Sequence, residues 1–196
     1  KSIADRMTGA QSSIAEHFSD ASILFADLVG FTKIARAASP EQLVDLLGGI
    51  FSDFDALTDQ LNLEKIKTIG DSYMIAGGVP EPSERHCDRM ATMAILMQKH
   101  INQIPRFNGT EIQLRVGIHS GPVIAGVIGT RKFAYDLWGD TVNIASRMES
   151  HGLPGRIQVS EVVYEKLRDN FRFEERGIIN VKGRGTMTTY WLISAL

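Results

Sequence analysis

The period of the apolar residues changes along this chain, and each change marks an element. Ile23-Leu24-Phe25-Ala26 is a short unbroken run, the mark of a buried strand, and a first strand is expected over residues 20–29. Ser39-Pro40-Glu41 opens a helix, with Ser39 as its cap and Pro40 in its first turn. Leu43, Leu46, Leu47, Ile50, Phe51, Phe54 and Leu57 then recur at helical spacing and read as a core-facing stripe. Residues 63–69 and 72–77 read as two strands joined at Gly70-Asp71. A second long helix is expected from Ser83-Glu84 through Met90, Met93, Ala94, Leu96 and Met97, methionines at that spacing being gap-filling core residues. Leu114–His119 and Val123–Ile128 read as a hairpin around Ser120-Gly121-Pro122. Asp140 to Glu149 reads as a capped helix, Ile157–Val159 as a strand, and Ser160 as the cap of a short helix to Leu167. A last hairpin is expected from Phe171 to Ile193, turning near Lys182-Gly183-Arg184-Gly185.

Residues 1–19 are polar and irregular and read as an N-terminal linker with some helix, leaving residues 20–196 as one domain. Strands and helices interleave, and several strands meet in tight hairpins. That pattern predicts an α+β fold with a mixed, mainly antiparallel sheet and helices on one face. It argues against a doubly wound parallel sheet.

Composition narrows the function classes. With a formal net charge of -2 and no dense Lys/Arg block, the chain has no electrostatic footprint for nucleic acid. Its one cysteine, Cys87, permits no intrachain disulfide, and Arg85, His86 and Asp88 beside it form no metal-ligand spacing. Cys87 reads as an ordinary helix residue, and the chain as one from a reducing compartment, the cytoplasm. No stretch approaches the ~18 apolar residues of a membrane span. The start at Lys1, without methionine, suggests a piece of a longer protein, and a membrane anchor is expected only in that parent.

Two carboxylates stand out against this background. Asp27 ends the apolar run of the first strand, where an ionised group is costly unless something cationic binds it. Asp71 lies at the tip between two further strands. Each alone reads as a turn or cap residue. Together they are hard oxygen donors of the kind a divalent cation takes.

Longer motifs decide between these readings. Phe25-Ala26-Asp27-Leu28-Val29-Gly30-Phe31-Thr32, Glu64 to Asp71, Gly126-Val127-Ile128-Gly129, Tyr135 to Arg147 and Asn180 to Gly185 occur in this order. In these motifs the chain resembles the catalytic domain of class III nucleotidyl cyclases, in particular bacterial adenylyl cyclases with mammalian-type motifs. The likeness runs from about Asp20 to the C-terminus. It implies a ferredoxin-like βαββαβ core with an extra C-terminal hairpin.

The resemblance also implies roles. Asp27 and Asp71, with the backbone carbonyl of Leu28, match the ligands of two Mg²⁺ or Mn²⁺ ions, one activating the ribose 3′-hydroxyl and one holding the triphosphate. Backbone amides around Val29, Gly30, Phe31 and Thr32 would hold the β- and γ-phosphates. Lys182 matches a lysine that reaches the triphosphate; alone it reads as a solvated hairpin lysine. Arg147 matches the group that stabilises charge on the α-phosphate, and Asn143 the group that orients the ribose. The two are four residues apart, on one helix face. Lys67 and Asp136 match the base-reading pair: the lysine donates to adenine N1 and the aspartate accepts from the N6 amino group. Guanine presents the reverse pattern, and guanylyl cyclases of the family usually carry glutamate and cysteine there.

The implied reaction is ATP to 3′,5′-cyclic AMP and pyrophosphate. The implied assembly is a head-to-tail homodimer, one copy supplying the metal aspartates and the other Lys67, Asp136, Asn143 and Arg147. A monomer should then be nearly inactive. The general base stays open between Asp27, water and substrate phosphate. Three other readings stand beside this one: a guanylyl cyclase with unusual base contacts, a catalytically silent nucleotide-binding regulatory module, and a purely structural dimerisation domain. A diguanylate cyclase is disfavoured, because Gly77-Gly78-Val79 lacks the acidic loop of that family.

Overall fold

The first strand extends well beyond its apolar run. In the computed structural model, which describes residues 15–128, 134–181 and 183–196, β1 spans Ala15–Val29. Residues 15–19, expected as linker, already pair in the sheet: Ala15 lies opposite Gly126 and Phe18 opposite Val123. Ala15, Glu16 and His17 are exposed, so backbone pairing there leaves no apolar pattern to read.

The chain continues through α1 (Phe31–Ala37), α2 (Pro40–Gln60), β2 (Glu64–Ile69), β3 (Ser72–Gly77), α3 (His86–Ile101), β4 (Gln113–Ile128) and β5 (Ala134–Trp138). It ends with α4 (Asp140–Ser150), β6 (Ile157–Ser160), α5 (Glu161–Leu167), β7 (Phe171–Val181) and β8 (Gly185–Ala195). Omitting the short α1, the order from β1 to β4 is the expected βαββαβ core. The sheet runs β2-β3-β1-β4-β6-β8-β7, with β5 pairing β4 off that path. Only β4 and β6 pair in parallel among the described strands.

The expected hairpin at Ser120-Gly121-Pro122 does not form. β4 passes straight through it, with Ser120 opposite Ser22 and Gly121 opposite Ala21. The register on β1 shifts between Phe18 and Ala21, so Pro122 meets an irregularity instead of a regular ladder. A bulge is where a sheet tolerates a residue without an N–H. The hairpin lies later: β4 returns as β5, Ile124 pairing with Trp138.

Three helix starts also differ from expectation. α2 has its full capping box, with Gln42 N–H donating to Ser39 Oγ and Ser39 N–H to Gln42 Oε1. α3 begins only at His86, without a side-chain cap. α4 is preceded by Gly139, and Asp140 sits inside its first turn. Ser160 stands before α5, but its hydroxyl is taken by His119 Nδ1 at 2.6 Å.

Helices pack on both faces of the sheet, not one. Leu24, Ala26, Leu28, Leu114, Val116 and Ile118 meet Ile50 and Phe54 of α2, Met90, Met93 and Met97 of α3, and Val163 of α5. The alternate residues point the other way. Ile23, Met74, Ala76, Val123 and Leu137 pack with Ala145 of α4 on the opposite face. Gly117 lets α4 approach: a Cβ there would lie 1.9 Å from the Glu149 amide nitrogen.

Candidate active site

Asp27 owes its neighbours to sheet register. Ser72 of β3 lies opposite it on one side and Arg115 of β4 on the other. The Ser72 hydroxyl donates to Asp27 Oδ1 at 2.6 Å, and Arg115 Nη2 approaches Oδ2 at 3.3 Å. Arg115 Nε donates to Glu149 Oε1 of α4 at 2.6 Å. Asp71 sits in the β2–β3 turn after Gly70, whose φ of 61° is the left-handed region that favours glycine. Its backbone carbonyl accepts from Leu28 N–H at 3.4 Å. In an antiparallel ladder a residue's N–H and C=O face the same neighbour, so the Leu28 carbonyl faces this turn too.

The electrostatics of this corner favour a cation. Burial pushes the Asp71 carboxyl up, and the Asp27 charge pushes it further. Burial likewise raises Glu149, with Asp27 and Asp71 adding to the rise and Arg115 opposing it. Among the described residues, no group of three or more His, Cys, Asp or Glu is arranged to hold a metal ion by side chains alone. Asp27, Asp71 and the Leu28 carbonyl offer hard oxygens that could hold a divalent cation, with one Asp27 oxygen already turned to the Arg115 guanidinium. That chemistry fits Mg²⁺ or Mn²⁺.

From Val29 the chain turns through Gly30 (φ 77°, ψ 11°) into α1. The Gly30 carbonyl closes the first turn, accepting from Lys33 and Ile34 N–H. The amides of Phe31 and Thr32 precede those bonds and have no carbonyl one turn earlier in the helix to receive them.

Lys67 and Asp136 meet within one chain. Lys67 Nζ lies 2.5 Å from Asp136 Oδ2, bridging β2 and β5. The other Asp136 oxygen accepts from Leu137 N–H at 2.8 Å, which fixes the carboxylate plane. Asn143 and Arg147 are exposed on α4 and line an open cleft of about 590 Å³ with Asp140, Ile144, Ser146, Val181, Gly183 and Arg184. Arg184, in the β7–β8 turn, pairs with Asp140. Lys182 lies outside the described residues.

The expected site residues thus fall into three groups: Asp27, Leu28 and Asp71 with the Val29–Thr32 turn; the Lys67–Asp136 pair; and Asn143 with Arg147. Among the described residues, no hydrogen bond or ion pair joins one group to another. Sequence reading missed Arg115, Glu149 and Ser72. Arg115 had a usable signal, as a charge between Leu114 and Val116 in a segment expected as a strand. Glu149 had none, because its role depends on where α4 crosses β4.

Comparison with known proteins bears on this geometry. The family model for the adenylate and guanylate cyclase catalytic domain matches residues 14–194. An adenylate cyclase of Mycobacterium tuberculosis is 50% identical over 193 residues, 98% of this chain and 44% of the relative. The human guanylate cyclase soluble subunit beta-2 is 46% identical over 198 residues, 100% of this chain and 32% of the relative. The chain thus spans less than half the length of these curated relatives. The crystal structure of the guanylate cyclase domain of RhGC from Catenaria anguillulae, in complex with GTP, superposes with a TM-score of 0.89 at 33% identity, covering 92% of this chain and 100% of that one. With a family match along nearly its whole length and the fold to go with it, this chain belongs to the adenylate and guanylate cyclase catalytic-domain family.

Proposed function

We propose that this domain is an adenylate cyclase, converting ATP to 3′,5′-cyclic AMP and pyrophosphate at sites shared between two copies of the chain. The observation that carries the choice of base is the Lys67–Asp136 pair. A donor stands beside an acceptor, the complement of adenine N1 beside its N6 amino group. In the same pose guanine would set its N1–H against the lysine and its O6 against the carboxylate. A polar site of this kind leaves buried groups unpaired with the wrong base and so discriminates strongly. The relatives include both adenylate and guanylate cyclases, so the reading rests on these two side chains.

Asp27, Asp71 and the Leu28 carbonyl would hold two Mg²⁺ or Mn²⁺ ions per site. Such cations, when bound, neutralise triphosphate charge and lower the pKa of the ribose hydroxyl. The amides of the Val29–Thr32 turn, including those at Gly30 and Phe31, would take the β- and γ-phosphates, with Lys182 reaching the same group. Arg147 pairs its planar fork with the α-phosphate oxygens as the 3′-oxygen attacks phosphorus and pyrophosphate leaves in line. Asn143 holds the ribose for that attack. The separation of the three groups within one chain, and the exposure of Asn143 and Arg147, support a head-to-tail homodimer in which each site takes carboxylates from one copy and α4 from the other.

Initial rates with ATP and GTP at saturating metal test the assignment. Wild type should prefer ATP, and Lys67→Glu with Asp136→Cys should shift the ATP/GTP ratio toward GTP by well over tenfold, each mispaired group costing about 1–3 kcal/mol. An unchanged ratio removes both residues from base reading. Wild-type preference for GTP makes the domain a guanylate cyclase.

A further inference from the structure

We propose that Glu149 is a positioning residue of the cation site: it holds the Arg115 guanidinium back from Asp27, and so keeps the carboxylate open to a divalent cation. The inference rests on the reading of Asp27 and Asp71 as cation ligands.

Two distances motivate it. Arg115 is bound tightly to Glu149, Nε to Oε1 at 2.6 Å, and loosely to Asp27, Nη2 to Oδ2 at 3.3 Å. A guanidinium free to choose would take a carboxylate with two parallel bonds. Here the Nε edge is committed to Glu149, so Asp27 receives one long contact only. The commitment is built into the packing. The Glu149 side chain is 11% exposed. The α4 backbone at this residue lies directly over Gly117. The Arg115 stem is confined as well: a Cβ on Gly152 would fall 3.0 Å from Arg115 Cγ. Meanwhile the Ser72 hydroxyl holds the other Asp27 oxygen at 2.6 Å. The result is a carboxylate fixed in orientation and only partly neutralised. Without Glu149, Arg115 has one anionic partner left among those it touches. It would close on Asp27 and compete directly with the incoming cation.

The test uses Mn²⁺ alone, titrated into the whole domain without nucleotide, with free Mn²⁺ read by electron paramagnetic resonance. Glu149→Ala should weaken Mn²⁺ binding about 10-fold, the lower end of what supporting residues around a metal site cost. Glu149→Gln keeps the shape and one acceptor, and should weaken binding less, in the same direction; it also serves if the alanine variant fails to fold. In an Arg115→Ala background there is no guanidinium to release, so adding Glu149→Gln should leave Mn²⁺ affinity unchanged. Unaltered affinity in Glu149→Gln, with wild type binding and Asp71→Asn not, overturns the inference and spares the cation site. An equal loss with and without Arg115 also overturns it, since Glu149 would then act on the site by another route. A wild type that binds no Mn²⁺ overturns the inference and the cation site together.

Discussion

Replacing Gly117 by alanine should unseat α4. The added Cβ would lie 1.9 Å from Glu149 N and 2.5 Å from both Glu149 Cα and Met148 C. All three are backbone atoms, so no rotamer change relieves the clash. Ordinary van der Waals contact begins at 3.4 Å, so helix and strand must part by about 1.5 Å. A gap of even 0.5–1 Å forfeits a quarter to a half of the dispersion attraction across a contact. The buried face of α4 comprises Thr141, Ile144, Ala145, Met148 and Glu149. Losing that fit costs about 3–5 kcal/mol, above the usual range for overpacking because the obstacle is rigid. At roughly 2–4 °C per kcal/mol for a domain of this size, the melting temperature should fall by about 6–20 °C. Gly48→Ala is the matched control. Gly48 lies within α2, and nothing stands within 4 Å of a Cβ placed there. That change should raise stability by about 0.5–1 kcal/mol. Differential scanning calorimetry and ATP turnover decide the matter. A Gly117→Ala domain melting within about 2 °C of wild type, with turnover intact, would refute this seating of α4.

Asp27→Ala and Arg147→Ala should each be inactive as homodimers, and their mixture should regain activity from one intact site; verified heterodimers with none would sink the shared-site assembly. Acid stability should report on His119, which burial, with Arg184 and Lys166 adding, holds down at about 4 against an ordinary 6.5. The unfolded chain takes up this proton first, so stability present above pH 6.5 is lost as pH falls toward 4. The shift is worth about 3 kcal/mol. Urea titrations at pH 7 and 4.5 should show a smaller difference in His119→Gln than in wild type, and equal differences would exclude His119 as the source.

What could be read in the sequence followed from local chemistry. The α2 start was legible from Ser39 as cap and Pro40 in the first turn; the return bond to Gln42 that completes the capping box was not read. The β2–β3 and β7–β8 hairpins were legible from strand-like segments on either side of glycine-containing turns. The course of β4 was hidden because Ser-Gly-Pro is a turn signal on its own, and the irregularity that absorbs Pro122 lies on another strand, about a hundred residues earlier. The β1 extension was hidden for a related reason: exposed edge pairing is backbone chemistry, indifferent to side-chain pattern. Among the candidate site residues, Asp27 and Asp71 stood out by their places at strand ends, while Lys67, Asp136, Asn143 and Arg147 were named only through motifs. The Lys67–Asp136 contact joins residues 69 apart in sequence, and no local rule proposes it.

Helix α4 ties these observations together. Asn143 and Arg147 lie four residues apart on its exposed side, while Thr141, Ala145, Met148 and Glu149 face the protein. The helix therefore presents groups outward to one cleft while its inward end grips Arg115 beside Asp27. Its height above the sheet is set by the absent side chain at Gly117, and its lateral position by Ala145 and Met148 in two separate apolar clusters. A displacement of α4 would move the Arg115 anchor and the Arg147 fork by comparable amounts, since a helix of three turns transmits it nearly rigidly. Misplacement by 1 Å is enough to cost a phosphoryl-transfer site about two orders of magnitude. The fold meets that tolerance with backbone contact beneath the helix at Gly117, leaving Asn143 and Arg147 on its exposed side.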